Sequence, residues 1–217
     1  MPALIRIPTS WLAQTAQTTR DDVFLYYRGF APARWFMWRR LEHFARLIAR
    51  HPAVGGRALD VGGGLGILLP TLAREFSSVT MLDLDIRLAR KVCERFQLSS
   101  VRLVEGDILS VADFQGRFDA ITAAAFLEHF QDSDRVISRL KTILRPGGLL
   151  FVDLPTENGL YRLGRRIGRI TKPADHYHGA MEIRDVLLRH FSLVEEQFIP
   201  CRRLALFYQA ALAAQAS

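Results

Sequence analysis

The segment "ALDVGGGLGI", residues 58–67, constrains the fold more than any other stretch of the chain. A short apolar run ends at Asp60 and is followed at once by Gly62, Gly63, Gly64 and Gly66. A backbone that turns this tightly needs residues without a Cβ, both to reach positive φ and to let a ligand lie against its amides. A glycine-rich turn between a strand and a helix predicts a bound cofactor. The dinucleotide frame GxGxxG would put its third glycine at position 67 counted from Gly62, or at 69 counted from Gly64, and those positions are Ile67 and Leu69. The frame present is instead DxGxGxG. A nicotinamide-dependent oxidoreductase is therefore the alternative reading, and the displaced third glycine counts against it.

From Arg57 onward the pattern alternates strand and helix. The strand runs are continuously apolar, as they are where both faces of a parallel sheet are covered. "RALDV" is the first strand; "GILLPTLAREF" reads as a helix with Pro70 in its first turn. "SVTMLDL", "VRLVEGD", "FDAITAAAF" and "GLLFVDLP" are the next four strands, with helices over "IRLARKVCERF" and from about Asp132 to Leu144. The run "LRPGG" is a stop signal, with proline ending the helix and glycines making the turn. A helix near Met181 to Phe191 then precedes two apolar segments, "SLVEEQFIP" and "RLALFYQAAL", joined by a short arginine turn. Two strands in succession without an intervening helix predict an antiparallel edge pair. Ahead of all this, "ARWFMWRRLEHFARLIAR" is an amphipathic helix with Met37, Leu41, Phe44 and Ile48 on one face and Arg39, Arg40, Glu42 and Arg46 elsewhere.

The spacing of these motifs resembles class I S-adenosylmethionine-dependent methyltransferases, of the small-molecule type 11/12 kind, over about Arg57 to Pro155. The resemblance implies an α/β Rossmann-like doubly wound sheet of seven strands, mostly parallel, with an antiparallel C-terminal pair and helices on both faces. It implies residues 1–54 as a helical cap and acceptor lid, and 55–217 as the cofactor-binding unit. It implies S-adenosylmethionine as cofactor and S-adenosylhomocysteine as product. Asp60, Gly62, Gly63, Gly64 and Gly66 would hold the methionine end. Asp83 in "VTMLDLD" would take both ribose hydroxyls, with Leu84 beside it, since a carboxylate has an oxygen for each donor of a diol. Asp107 in "EGDI" would accept from the adenine amine and the Ile108 amide would donate to the ring, with Ala124 at the end of the fourth strand.

Methyl transfer is an in-line displacement on an activated carbon, so positioning and water exclusion do most of the work, and a base matters chiefly when the acceptor is a hydroxyl. The candidate base is His129, next to Glu128 in the turn after the fourth strand, at the edge where open parallel sheets bind ligands. In some quinone O-methyltransferases of the superfamily an acid two residues before the position of Leu127 helps hold a divalent metal; here that place is Ala125, and two potential ligands without a third predict no metal. His176 and His178 in "DHYH" come after the fifth strand and are acceptor-side candidates. So are Tyr27, Arg28 and Trp38, together with Tyr26 and Trp35, because an aromatic wall with a few polar groups suits a small-molecule pocket.

Charge bears on the acceptor. Lys and Arg number 29 against 22 Asp and Glu, a net charge of +7, and nearly all the positive side is arginine. Between the fifth strand and the last helix, Arg162, Arg165, Arg166, Arg169 and Lys172 are opposed by Asp175 alone. A solvated helix face, a site for a phosphorylated or lipid-linked acceptor, or a peripheral anion- or membrane-binding module all remain open for this segment. Nucleic acid is not expected, because no base-stacking aromatic pattern accompanies the charge. No apolar run reaches the length of a membrane span, and the N-terminus lacks a secretory signal pattern, so a cytoplasmic protein is expected. Cys93 and Cys201 are read as reduced, inert core thiols. The reaction expected is methylation of a small or lipid- or glycan-linked acceptor at oxygen, with nitrogen as the alternative.

Overall fold

The computed structural model describes residues 4–16, 26–27, 31–51, 53, 56–111, 114, 117–159, 161–162, 166 and 176–214. Two helices come first, α1 (Thr9–Thr15) and α2 (Ala31–Arg50). The alternating part follows as β1 (Arg57–Val61), α3 (Leu69–Glu75), β2 (Ser78–Asp83), α4 (Arg87–Phe96), β3 (Val101–Glu105), β4 (Phe118–Ala124), α5 (Ser133–Ile143) and β5 (Leu144–Pro155). The C-terminal part is α6 (Ala180–His190), β6 (Phe191–Ile199) and β7 (Phe207–Ala214).

The strands form one seven-stranded sheet in the order β3-β2-β1-β4-β5-β7-β6. The first five are parallel, and β7 runs antiparallel to both β5 and β6. This is the doubly wound arrangement expected from the sequence. Side chains of the central strands alternate between two cores, as strand geometry requires. Ala58, Ala120 and Phe151 point to the side covered by α2, α3 and α4, where Leu41, Phe44, Leu72 and Val92 are buried. Leu59, Ile121 and Val152 point to the side covered by α5 and α6, with Val136, Leu140, Ile183 and Leu187. Strand order reverses between β1 and β4, so the loops leaving their carboxyl ends part and open a crevice.

Local signals set most boundaries. Pro70 sits in the first turn of α3, where its missing N–H costs nothing, but the helix starts at Leu69 because the glycine turn continues through Leu68. The Asp132 carboxylate caps α5 by accepting from the Arg135 amide at 3.0 Å. The helix stops at Ile143 as "LRPGG" predicts, but this run does not form a separate turn: β5 starts at Leu144, and Gly147, at φ +74°, lies inside it where the pairing with β4 shifts register. Two further expectations are corrected. Cys201 is exposed, because it lies in the short turn between β6 and β7 and not in either strand; Cys93 is half-buried. Arg40, placed by helical periodicity on the polar face of α2, is buried, because the sheet surface beneath α2 carries polar groups of its own. No helix among the described residues is long and apolar enough to cross a membrane.

Candidate functional site

The glycine turn lies at the switch point. Gly62 donates its amide to the Leu82 carbonyl at 2.8 Å, tying the turn to β2. At Gly62, φ is +65° and a Cβ would come within 2.3 Å of the Phe126 ring, so no other residue fits without moving that ring. Gly64, at φ +52°, differs: a Cβ there would meet nothing nearer than the Gly62 carbonyl at 4.0 Å, so the space beside it is open.

Three carboxylates follow in a row along this edge. Asp60, at the end of β1, is fully buried; one oxygen accepts from Thr122 Oγ1 at 2.7 Å, and the other has no partner among the described residues. Burial pushes its pKa up to about 7; the Thr122 hydrogen bond opposes the shift and the charge of Asp83 adds to it. Asp83, at the end of β2, accepts from the amides of Gly64 at 2.8 Å and Asp85 at 2.9 Å. Asp107, after β3, is exposed and accepts from the Leu109 amide at 3.0 Å. Ile108 beside it is buried, Leu84 is exposed, and Ala124 is half-buried at the end of β4. The edge therefore offers a buried acceptor of positive charge, a carboxylate beside an open glycine, and a further exposed carboxylate. That suits an extended molecule with a cationic head and several hydroxyl or amino donors.

Beyond β4 the chain makes a strained turn. Ala125 adopts φ +51°, unusual for a residue with a Cβ, and donates its amide to the Asp153 carbonyl at 2.7 Å. A single 3₁₀ turn, Leu127–His129, follows. Glu128 is fully buried and neither carboxylate oxygen has a hydrogen-bond partner among the described residues. Burial pushes its pKa up to about 8, against the opposing pull of its own amide and of Arg40. The His129 ring stacks edge-on against His176, centroids 4.8 Å apart, and His176 Nδ1 lies 3.0 Å from Glu157 Oε1. The Tyr177 amide donates to the Glu128 carbonyl at 2.9 Å, which holds the segment before α6 against the 3₁₀ turn. Next to these residues a cleft of about 320 Å³ is lined by Thr156, Glu157, Tyr177, His178, Met181 and Glu182. His178 is engaged on both sides, with Nε2 2.9 Å from the Gln131 carbonyl and Nδ1 3.3 Å from Glu182.

The other acceptor-side candidates are placed differently. Trp38 is buried, donates its Nε1 proton to the Tyr26 carbonyl at 3.1 Å and packs edge-on against the Tyr26 ring. Tyr27 is buried and Trp35 is 61% exposed. Arg162 is exposed, and Arg28 lies outside the described residues, as do Arg165, Arg169, Lys172 and Asp175. Sequence reasoning missed the polar group that joins α2 to the site. Arg40 Nε lies 2.7 Å from Asp153 Oδ2, and Gln209 Nε2 donates to Asp153 Oδ1 at 3.1 Å and to the Arg40 carbonyl at 3.0 Å. A signal was present, since Asp153 and Gln209 interrupt strand runs that are otherwise apolar on both faces, and a buried polar residue needs a partner.

A family profile described as a methyltransferase domain matches residues 27–199. An uncharacterized methyltransferase of Mycobacterium tuberculosis is 34% identical over 131 residues, covering 58% of this chain and 66% of that protein. The ubiquinone biosynthesis O-methyltransferase of Xanthomonas axonopodis pathovar citri is 38% identical over 117 residues, covering 52% of this chain and 47% of that protein. The chain thus matches between about half and two thirds of the length of these relatives. Among solved structures, the N-methyltransferase NodS of Bradyrhizobium japonicum, crystallised with S-adenosylhomocysteine, superposes with a TM-score of 0.69 at 20% identity, over 96% of this chain and 100% of that one.

Proposed function

The chain belongs to the methyltransferase domain family, and on that premise we propose that it transfers the methyl group of S-adenosylmethionine to a hydroxyl oxygen of a small acceptor. The row of carboxylates fits that cofactor. The unpartnered buried oxygen of Asp60 suits its ammonium, the open side of Gly64 its amino-acid chain, Asp83 its ribose hydroxyls and Asp107 its adenine amine. Gly62, Gly63 and Gly66 shape the turn, while Leu84, Ile108 and Ala124 flank the base. The cofactor supplies a methyl group already activated for displacement.

The chain's own part is to hold the acceptor oxygen in line, keep water away and take up a proton. His129 is the proposed base, with Glu128 behind it. The half-buried ring of His129 faces His176, whose own orientation Glu157 fixes, and the cleft beside them is the proposed acceptor site. That pairing of imidazoles at the exit of β4 is the observation that carries the oxygen assignment, because a hydroxyl must shed its proton as it attacks whereas a neutral amine need not do so beforehand. The 38% identical ubiquinone O-methyltransferase supports it. Arg162 and the basic residues that follow it in the sequence support an acceptor with an anionic or lipid-linked tail, and α2 with Tyr27 is the proposed wall or lid.

The test is incubation with methyl-labelled cofactor and matched hydroxyl and amine acceptors, with mass analysis of the product linkage. Label in an ether is expected. Label in amines alone, or equal label in the His129→Asn protein, overturns the oxygen assignment.

A further inference from the structure

The turn after β4 and the segment before α6, distant in sequence, bring three metal-ligating side chains to one point. Glu128, His129 and His176 each offer a ligand atom, and these atoms all lie within 4.8 Å of one another. Two further observations distinguish the group from a chance meeting of polar residues. First, Glu128 is fully buried with both oxygens unpartnered among the described residues, although the neighbouring guanidinium of Arg40 is available and is taken by Asp153 instead. A buried carboxylate without partners is costly unless a cation meets it. Second, His176 is held from behind, Nδ1 to Glu157 Oε1 at 3.0 Å. A histidine that donates from Nδ1 carries its lone pair on Nε2, and a carboxylate behind a ligating histidine is how metal sites fix tautomer and ring orientation.

We propose that Glu128, His129 and His176 bind one divalent first-row transition ion. One carboxylate with two imidazoles favours zinc, iron, cobalt or manganese over magnesium and calcium, which prefer sets made of oxygen. Bonds of about 2.1 Å at tetrahedral angles place ligand atoms about 3.4 Å apart, so donors that lie within 4.8 Å of one another close by up to roughly 1.4 Å on the ion, a distance that side-chain rotation covers. Three protein ligands leave at least one coordination position open. The set differs from a cluster of acids along the turn itself: position 125 is alanine, and the third donor comes from the far side of the basic segment. An acceptor oxygen in the open position would lose its proton more readily, with His129 then serving as a ligand and not as a free base. That role, unlike the binding, rests on the hydroxyl-acceptor reading.

The experiment is calorimetric titration of chelator-stripped, tag-free protein with zinc and with cobalt, the latter also followed by its visible absorption, with neither cofactor nor acceptor present. One ion per chain is expected. His176→Ala and Glu128→Gln should each weaken binding by tenfold or more, and Glu157→Gln by about tenfold through loss of ring orientation. His190→Ala, remote from the cluster, should bind as the native chain does. Melting curves of the metal-free variants verify that each is folded. Absence of binding by the native chain, or unchanged affinity in folded His176→Ala, overturns the metal site. Because the titration contains no methyl donor, that failure leaves the methyl-transfer reading standing.

Discussion

Asp83 Oδ2 accepts the amide of Gly64 at 2.8 Å, so the acid that ends β2 and the glycine turn that follows β1 form one unit. The second oxygen of the same carboxylate caps the Asp85 amide at 2.9 Å. Each oxygen keeps a lone pair beyond its backbone bond, so Asp83 can brace the turn and still accept a diol. Removing it should act twice. Asp83→Ala is expected to weaken S-adenosylhomocysteine binding by at least the 1.5–3 kcal/mol or so of a charge-assisted hydrogen bond, and to loosen the turn as well. Asp83→Asn keeps one oxygen acceptor and should lose less. Calorimetry on the two variants checks the order, and equal affinity in Asp83→Ala and the native chain would remove the ribose assignment.

Asp60 sets a pH dependence whose sign is fixed. Its folded pKa of about 7 lies above the ordinary value of 3.8, so the neutral acid is the favoured form in the free chain below neutrality. An ammonium ligand requires the carboxylate, and at pH 6 only about a tenth of the chains would carry it. Cofactor affinity should therefore rise about tenfold between pH 6 and pH 8. The elevated pKa also means that stability is fully present below the unfolded value and falls as pH rises through the folded one. Asp60→Asn should flatten both curves. Cofactor titration between about pH 6 and 8, and denaturant melts between about pH 4 and 8, where the unfolded chain is ionised and the folded one not yet, read the two effects separately.

The two positive-φ glycines at the start of the turn should fail differently. At Gly62 an added Cβ strikes the Phe126 ring at 2.3 Å, so Gly62→Ala should cost stability through both strain and clash. At Gly64 the added methyl enters open space, so Gly64→Ala should cost only about 1–2 kcal/mol of backbone strain while obstructing the ligand. A melt paired with a binding titration distinguishes them. Loss of binding in Gly62→Ala alone, with Gly64→Ala unaffected, would place the ligand elsewhere.

The parts of this site that were legible in the sequence are those set by near neighbours along the chain. The DxGxGxG frame and Pro70 in a first turn act through their own backbone, so spacing alone exposes them, whereas the acids closing β2 and β3 are marked by the resemblance to the methyltransferase family. Arg40 was misplaced because helical periodicity assumes an apolar surface beneath the helix, whereas β5 and β7 put Asp153 and Gln209 there. His176 is legible as an acceptor-side candidate, but its contact with His129 is not. It reaches His129 across 47 residues by way of the Tyr177 amide bond to the Glu128 carbonyl, and no local pattern encodes that closure.

The Arg40 and Asp153 pair connects α2 to the turn that carries His129. Asp153 contributes its side chain to Arg40 and Gln209 and its carbonyl to the Ala125 amide, so a shift at one is felt at the strained turn. Both charges are buried, and removing one leaves the other uncompensated, at a cost of about 3–5 kcal/mol. Arg40→Met should therefore destabilise the chain by that amount. The double variant Arg40→Met with Asp153→Leu should recover much of the stability, because an apolar pair of similar volume replaces the ion pair without its desolvation penalty. It should not recover methyl transfer to the same extent, since the buried charge that opposes the elevated pKa of Glu128 is gone and Gln209 loses its acceptor. Urea denaturation alongside the transfer assay separates the outcomes: a double variant as unstable as Arg40→Met would mean that the pair is held by packing around it and not by its charges.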